Sequence, residues 1–231
     1  SKAGANSCRS KAKGLNARVR VLIVNRFFGG QQTPTGRMAR DVAVELQRLG
    51  HKVTVLAAQA SYTSSTDGSC EADKSFKVKR VRELRGGRLL RWSSFWMQTL
   101  IALSSRRWDR CLLLTDPPFL DFAAWLTRLF RSSRQRVYWW TMDLYPEASV
   151  AADMLSAGGF FDRFLRQLNE LGLRELTGVV ALGPRQLQRL QTYRRWPSSP
   201  SFFKVVPPWD FRPLPKVEAS ASLVVDRLGY R

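Results

Sequence analysis

The sequence is poor in histidine, cysteine and acid, and it lacks a long hydrophobic run. Its 231 residues include one histidine, His51. A Ser-His-Asp or Cys-His nucleophile site therefore has almost nothing to be built from. The three cysteines, Cys8, Cys70 and Cys111, are odd in number, far apart and form no CxxC pair. This speaks against a disulfide framework or a structural zinc site and fits a reducing compartment. The longest uncharged run of apolar weight, Trp92 to Ser105, has 14 residues, short of the ~20 that span a bilayer. The N-terminus is basic and rich in small residues, without the apolar stretch of a secretory signal.

Acid is scarce against base: 18 Asp+Glu face 38 Lys+Arg, a net charge of +20. Residues 1–20 hold six basic residues and no acid, leaving 32 − 18 = +14 elsewhere, so the excess is not one tail. Candidate partners are acidic: nucleic acid, an anionic membrane or a phosphorylated small molecule. The apolar share is 44% and the charged share 24%, enough to bury a core. The length admits one large domain or two small ones.

Residues 1–17 read as a disordered basic arm. Val19 to Asn25 is a β-branched run suited to a buried strand. A glycine-containing loop leads to a helix beginning at Gly36, with Met38, Val42, Leu46 and Leu49 on one face and Gly50 as its stop. Val53 to Leu56 is a second strand, completing a βαβ unit. The alternation continues. Strands are predicted at Phe76 to Leu84, Cys111 to Thr115, Arg136 to Thr141, Gly178 to Leu182 and Phe203 to Val206. Helices are predicted at Leu89 to Ser105, Phe119 to Phe130, within Ala148 to Leu176, and from Pro184 to Tyr193. There is no internal repeat. The pattern is α/β: a Rossmann-like, mostly parallel sheet with helices on both faces. Ligands of such sheets bind at the carboxyl ends of strands, so the loops after Asn25, Thr115, Thr141 and Leu182 are the places to search.

The first of these loops carries Gly29, Gly30, Thr35, Gly36 and Arg37. Glycines between a strand and a helix let backbone N–H groups approach a phosphate. Neither GxGxxG nor GxxxxGK[ST] is present, and the loop alone is equally a glycine turn without a ligand. Asp143 and Glu147 can converge if a helix starts at Pro146, a residue suited to a first turn. Spacing alone slightly favours their serving only the helix dipole. Asp116, before Pro117-Pro118, can simply cap a helix. Trp139 and Trp140 read as core. Trp92 and Trp96 lie in a helix flanked by Arg88, Arg91, Arg106 and Arg107. Such aromatic–arginine pairing suits a membrane interface, or equally a core helix with solvated basic ends.

Taken in order, these pieces resemble the start of a family 4 glycosyltransferase. Asn25-Arg26-Phe27-Phe28-Gly29-Gly30, Thr35-Gly36-Arg37-Met38-Ala39 and the run from Leu46 through Gly50-His51-Lys52-Val53-Thr54-Val55-Leu56 are similar to its opening. Leu114-Thr115-Asp116-Pro117-Pro118 and Thr141-Met142-Asp143-Leu144-Tyr145-Pro146-Glu147 are similar to two of its later loops. Val179 to Pro184 and Val205 to Asp210 are similar to its last strand and its exit to a linker. The resemblance covers about residues 19–212 and is nearest to enzymes of bacterial surface-polysaccharide synthesis.

The resemblance implies the N-terminal, acceptor-binding half of a GT-B enzyme. It implies retaining transfer from a nucleotide-sugar, a UDP-sugar, with no metal and no covalent cofactor. The acceptor would be a sugar or lipid-phosphate-linked molecule, used in polysaccharide or glycolipid synthesis at the cytoplasmic, inner face of an anionic membrane. Gly29, Gly30, Thr35, Gly36 and Arg37 would line the cleft, with Asp116 at its edge. Asp143 would take or orient the acceptor proton and Glu147 would support it. The membrane contact would involve Arg88, Arg91, Trp92, Trp96, Arg106 and Arg107. The family's donor half carries two glutamates eight positions apart, and no such pair occurs here. The expected organisation is an arm at 1–17, an acceptor domain at 18–212 and a linker at 213–231 toward a donor domain in the same or a separate chain. The chain alone is expected to be inactive. Competing readings are a scaffold or partner subunit of a split enzyme, and a nucleic-acid-binding module. Nucleic acid is not expected as a partner, because no RRM, KH or zinc-finger pattern occurs. An oxidoreductase lacks its glycine fingerprint.

Overall fold

A computed structural model describes residues 18–28, 33–59, 77–84, 86–193 and 203–209. The expected arm at 1–17, the linker at 213–231, and Gly29 and Gly30 lie outside them. Seven strands form one sheet: β1 Arg20–Val24, β2 Lys52–Ala58, β3 Lys77–Val81, β4 Arg110–Leu113, β5 Arg136–Thr141, β6 Gly178–Ala181 and β7 Phe203–Val205. Their order is β3-β2-β1-β4-β5-β6-β7, and all six pairings are parallel. The helices are α1 Pro34–Arg48, α2 Arg88–Ser104, α3 Leu120–Leu126, α4 Glu147–Ala151, α5 Phe160–Leu173 and α6 Pro184–Gln191.

The strands are apolar because both faces are covered. Along β1, Leu22 and Val24 face one core and Val21 and Ile23 the other, the period-two alternation of a pleated strand. The first core is closed by Phe95 and Leu103 of α2, Leu120 of α3, Leu173 of α5 and Leu190 of α6. The second is closed by Met38, Ala39 and Ala43 of α1. Trp139 and Trp140 are buried and enter opposite cores. Trp209 stacks on Trp140 at 5.3 Å and donates its indole N–H to Asp41 at 3.0 Å. Strand β3 is an edge, and its exposed Lys77, Lys79 and Arg80 discourage pairing with another chain.

Helix α1 ends in a Schellman motif. Gly50 has φ 88°, its N–H donates to Gln47 O at 2.7 Å, and the His51 N–H donates to Leu46 O at 3.1 Å. His51 thus belongs to a turn. Leu49, expected on the inward face, is instead the C-cap residue and 50% exposed, because the chain has left the helix there. Helix α3 is shorter than the predicted Phe119 to Phe130. After Leu126, the Thr127 hydroxyl donates back to Ala123 O at 2.8 Å and the chain turns.

Helices α3 and α5 cross at Gly172, which lies against the first turn of α3 and its Asp121. Asp121 is fully buried, and neither carboxyl oxygen has a hydrogen-bond partner. Burial pushes its pKa up to about 8, although the adjacent amides of Asp121 and Phe122 oppose this. The helix dipole favours the anion by no more than ~2 kcal/mol, too little to offset full desolvation. Asp121 therefore keeps its proton in the fold and loses it in the unfolded chain, where carboxyls titrate near ~4. Asp116, raised to about 6 mainly by burial, acts in the same direction. The native state binds more protons, so stability falls as pH rises from about 4 to about 8. Between pH 6 and 8 the decline belongs to Asp121. Thermal melts across that interval should show a falling Tm, and Asp121→Asn should flatten it. An unchanged slope in the variant would refute the assignment.

Candidate active-site cleft

Strands β1, β2 and β3 progress toward one edge of the sheet, and β4 to β7 progress toward the other. The direction reverses between β1 and β4. Loops diverge there at the carboxyl ends of the strands and leave a crevice. A cleft of about 200 Å³ occupies this position. Asn25 enters it from the end of β1, Thr115 and Asp116 from the end of β4, and Asp143 and Tyr145 from the end of β5. Thr35 of α1 and Trp92 of α2 join from two helix starts, and Phe27 and Pro118 complete the lining.

The frame of the cleft is fastened by Arg26. Its N–H donates to Asp116 O at 3.0 Å and its carbonyl accepts from Ala58 N–H at 2.9 Å. Its guanidinium holds Glu83 through two bonds, 2.6 and 3.1 Å, and lies 3.9 Å from Asp116 Oδ2. Arg26 is thus committed to Glu83, a buried carboxylate that would be costly unpaired. The Asp116 carboxyl is raised to about 6 by burial. Arg26 opposes the rise, and Glu83 and Asp143 add to it. Three buried polar atoms of the lining have no hydrogen-bond partner: Asn25 Oδ1, Trp92 Nε1 and Asp116 Oδ2. Asn25 is fully buried, with its Nδ2 already donating to Phe27 O at 2.6 Å.

Asp143 is exposed to the cleft, and its N–H donates to the Thr115 hydroxyl at 3.2 Å. Glu147 does not join it. Glu147 starts α4, where Oε1 accepts from the Arg166 guanidinium and from the Tyr193 hydroxyl at 2.8 Å. Asn169 donates to Tyr145 O and to the Tyr193 hydroxyl, and Arg166 also bonds Asp162 at 2.9 Å. This network pins the loop that carries Asp143 and Tyr145. Of the two expected carboxylates, Asp143 lines the cleft, whereas Glu147 is held by Arg166 and Tyr193 and is not among the lining residues.

The other expected residues divide. Thr35 and Asp116 line the cleft. Gly36 is buried under packing, since a Cβ there would come within 2.5 Å of Thr33 Oγ1. Arg37 lies half-buried in the first turn of α1, outside the cleft lining. The residues expected at a membrane also separate. Trp96 packs against the core and donates its indole N–H to Pro118 O at 3.2 Å. Trp92 faces the cleft, with Arg88 above its ring at 5.7 Å. Both rings point inward because they share the helix side of Phe95, Thr99 and Leu103, which are buried. Arg88, Arg91, Arg106 and Arg107 are exposed. No helix of the described residues is long and apolar enough to cross a membrane. Among them, no three His, Cys, Asp or Glu side chains cluster as a metal site would require.

Sequence reasoning missed Asn25, Phe27, Trp92, Thr115 and Tyr145 as lining. A polar Asn25 ending an otherwise apolar strand was a usable signal. The partners of Glu147 had none, because they stand far along the chain, at positions 166 and 193.

The family described as glycosyl transferase 4-like domain matches residues 35–209. The chain belongs to this family. Its single parallel sheet with helices on both faces is the Rossmann-like α/β fold of one domain of a GT-B glycosyltransferase. The domain is similar to sucrose-phosphate synthase from Thermosynechococcus elongatus, with a TM-score of 0.51, 10% identity, and coverage of 91% of this chain and 95% of that one. It is also similar to LpCGTa, solved in complex with UDP, with a TM-score of 0.50 and 15% identity. That match covers 92% of this chain and 56% of LpCGTa. Identities this low carry the fold and no more. No curated protein matches the sequence.

Proposed function

We propose that this glycosyl transferase 4-like domain binds the acceptor in a retaining transfer from a nucleotide-sugar, a UDP-sugar, in polysaccharide or glycolipid synthesis. The observation that carries the reading is the mixed lining of the cleft: the polar side chains of Thr35, Thr115, Asp116 and Asp143 stand beside three aromatic rings. Hydroxyl groups both donate and accept, so a sugar ring suits such a lining. The rings of Phe27, Trp92 and Tyr145 offer flat apolar surfaces to its C–H faces. Arg26 is bound to Glu83, so the cleft favours a neutral sugar over a phosphate.

Asp143 receives or orients the proton of the attacking hydroxyl. Glu147, Arg166 and Tyr193 position the Asp143 loop and do not touch substrate. The reaction gains most from orientation and from compensating charge on the departing diphosphate, which a donor domain in the same or a separate chain supplies. The domain works at the inner, cytoplasmic face of an anionic membrane, and no metal is required. The UDP bound by LpCGTa supports the choice of donor. Titration with neutral methyl glycosides should change tryptophan fluorescence, and Trp92→Phe should remove most of that change. Sugar phosphates should bind less well. A response equal in the variant and the wild type would place the sugar elsewhere.

A further inference from the structure

The outward face of α2 is uncharged and carries large apolar side chains where a surface helix is normally charged. Between Arg91 and Arg106 the sequence has no charged residue. Phe95, Thr99 and Leu103 turn into the core. The opposite face presents Leu90, Met97 and Ile101, which are 45%, 57% and 56% exposed. Their spacing of seven and four keeps them in one stripe about 17 Å long. Arg88 and Arg91 stand at its first end, beside the cleft, and Arg106 and Arg107 at the other.

We propose that this stripe is the membrane-contacting surface of the domain, with α2 lying flat in the headgroup region of an anionic bilayer. It rests on the reading that the domain works at a membrane, and not on the transfer chemistry. Leu90, Met97 and Ile101 enter the acyl boundary, while the arginines at both ends meet anionic headgroups. Charge complementarity selects this occupant. A second copy of the chain would bring another net charge of +20 against the first, and like charges at that density repel. Nucleic acid would satisfy the arginines and leave the stripe in water. Trp92 and Trp96 are not needed at the interface: Trp96 holds α2 to the core and to Pro118, and Trp92 lines the cleft. With α2 flat on the bilayer, the start of the helix brings the cleft to the headgroup level, where a lipid-linked acceptor is presented.

The test is co-sedimentation of the 231-residue chain with phosphatidylcholine vesicles, with and without phosphatidylglycerol. The wild type should bind the anionic vesicles, less so at high salt. The triple variant Leu90→Ser, Met97→Ser, Ile101→Ser should bind about tenfold more weakly, with its thermal unfolding retained because all three residues are exposed. Arg88→Glu with Arg106→Glu should lower binding further and reduce its salt dependence. Equal binding by the triple variant and the wild type would overturn the proposal. So would loss of binding only on changing the exposed Phe160, Phe161 and Phe164 of α5. A wild-type dimer in light scattering that the triple variant abolishes, without vesicle binding, would assign the stripe to a second copy instead. Because no donor is added, transfer chemistry can fail while this contact stands, and the reverse.

Discussion

Gly172→Ala is expected to destabilise the domain by about 3 kcal/mol. The added Cβ would come within 2.5 Å of Asp121 Oδ2, 2.7 Å of the Asp121 carbonyl carbon and 2.8 Å of Phe122 N. The carboxyl group could rotate away, but the other two atoms are backbone. Relief therefore requires α3 as a whole to move off α5. That movement opens the core at Leu120, Ala123 and Ala124, all fully buried or nearly so. Helix propensity works the other way, since alanine is better than glycine by about 1 kcal/mol in a helix interior. The clash is the larger effect. Urea unfolding of the variant measures it. A loss under about 1 kcal/mol would mean that the two helices are not held as closely as described. Asp121→Asn in the same background should not rescue the loss, because the clashing backbone remains.

Asp143→Asn is expected to lower the rate of sugar transfer about 100-fold, within the usual range for a general base, with little change in stability. Asp143 is exposed, and its structural bond to Thr115 is made by its backbone N–H, so the amide side chain leaves the loop intact. Glu147→Gln should act differently. It weakens the acceptor of the Arg166 and Tyr193 bonds, so thermal stability should fall along with the rate. The separation of these two effects distinguishes a group that meets substrate from one that positions the loop. An Asp143→Asn variant with full activity would remove Asp143 from the chemistry.

Most of the fold was legible because buried parallel strands are short apolar runs between turn residues. Val19 to Asn25, Cys111 to Thr115 and Arg136 to Thr141 stand out on that ground, and β1, β4 and β5 are found there. The loops at the strand ends were legible too, since the sheet's order decides where they meet. Side-chain direction was not. Trp92 and Trp96 looked like interface residues because arginines flank them in sequence. The helix has an inward side, however, and their angular position relative to Phe95 and Leu103 turns them to it. Glu147 looked like a partner of Asp143 because four residues separate them. Its true partners come from α5 and from Tyr193 after α6, and such contacts leave no local pattern. Asp121 read as nothing at all, since the burial of a carboxyl against a glycine of another helix depends only on packing.

The most direct measurement is sugar transfer from a UDP-sugar to a glycolipid acceptor by this domain joined to a GT-B donor domain. Alongside it run the 231-residue chain alone and the joined Asp143→Asn variant. Transfer should appear in the joined protein, be absent from the chain alone, and fall about 100-fold with Asp143→Asn. Robust transfer by the chain alone would contradict its role as the acceptor half, and transfer indifferent to Asp143 would contradict the assignment of the cleft.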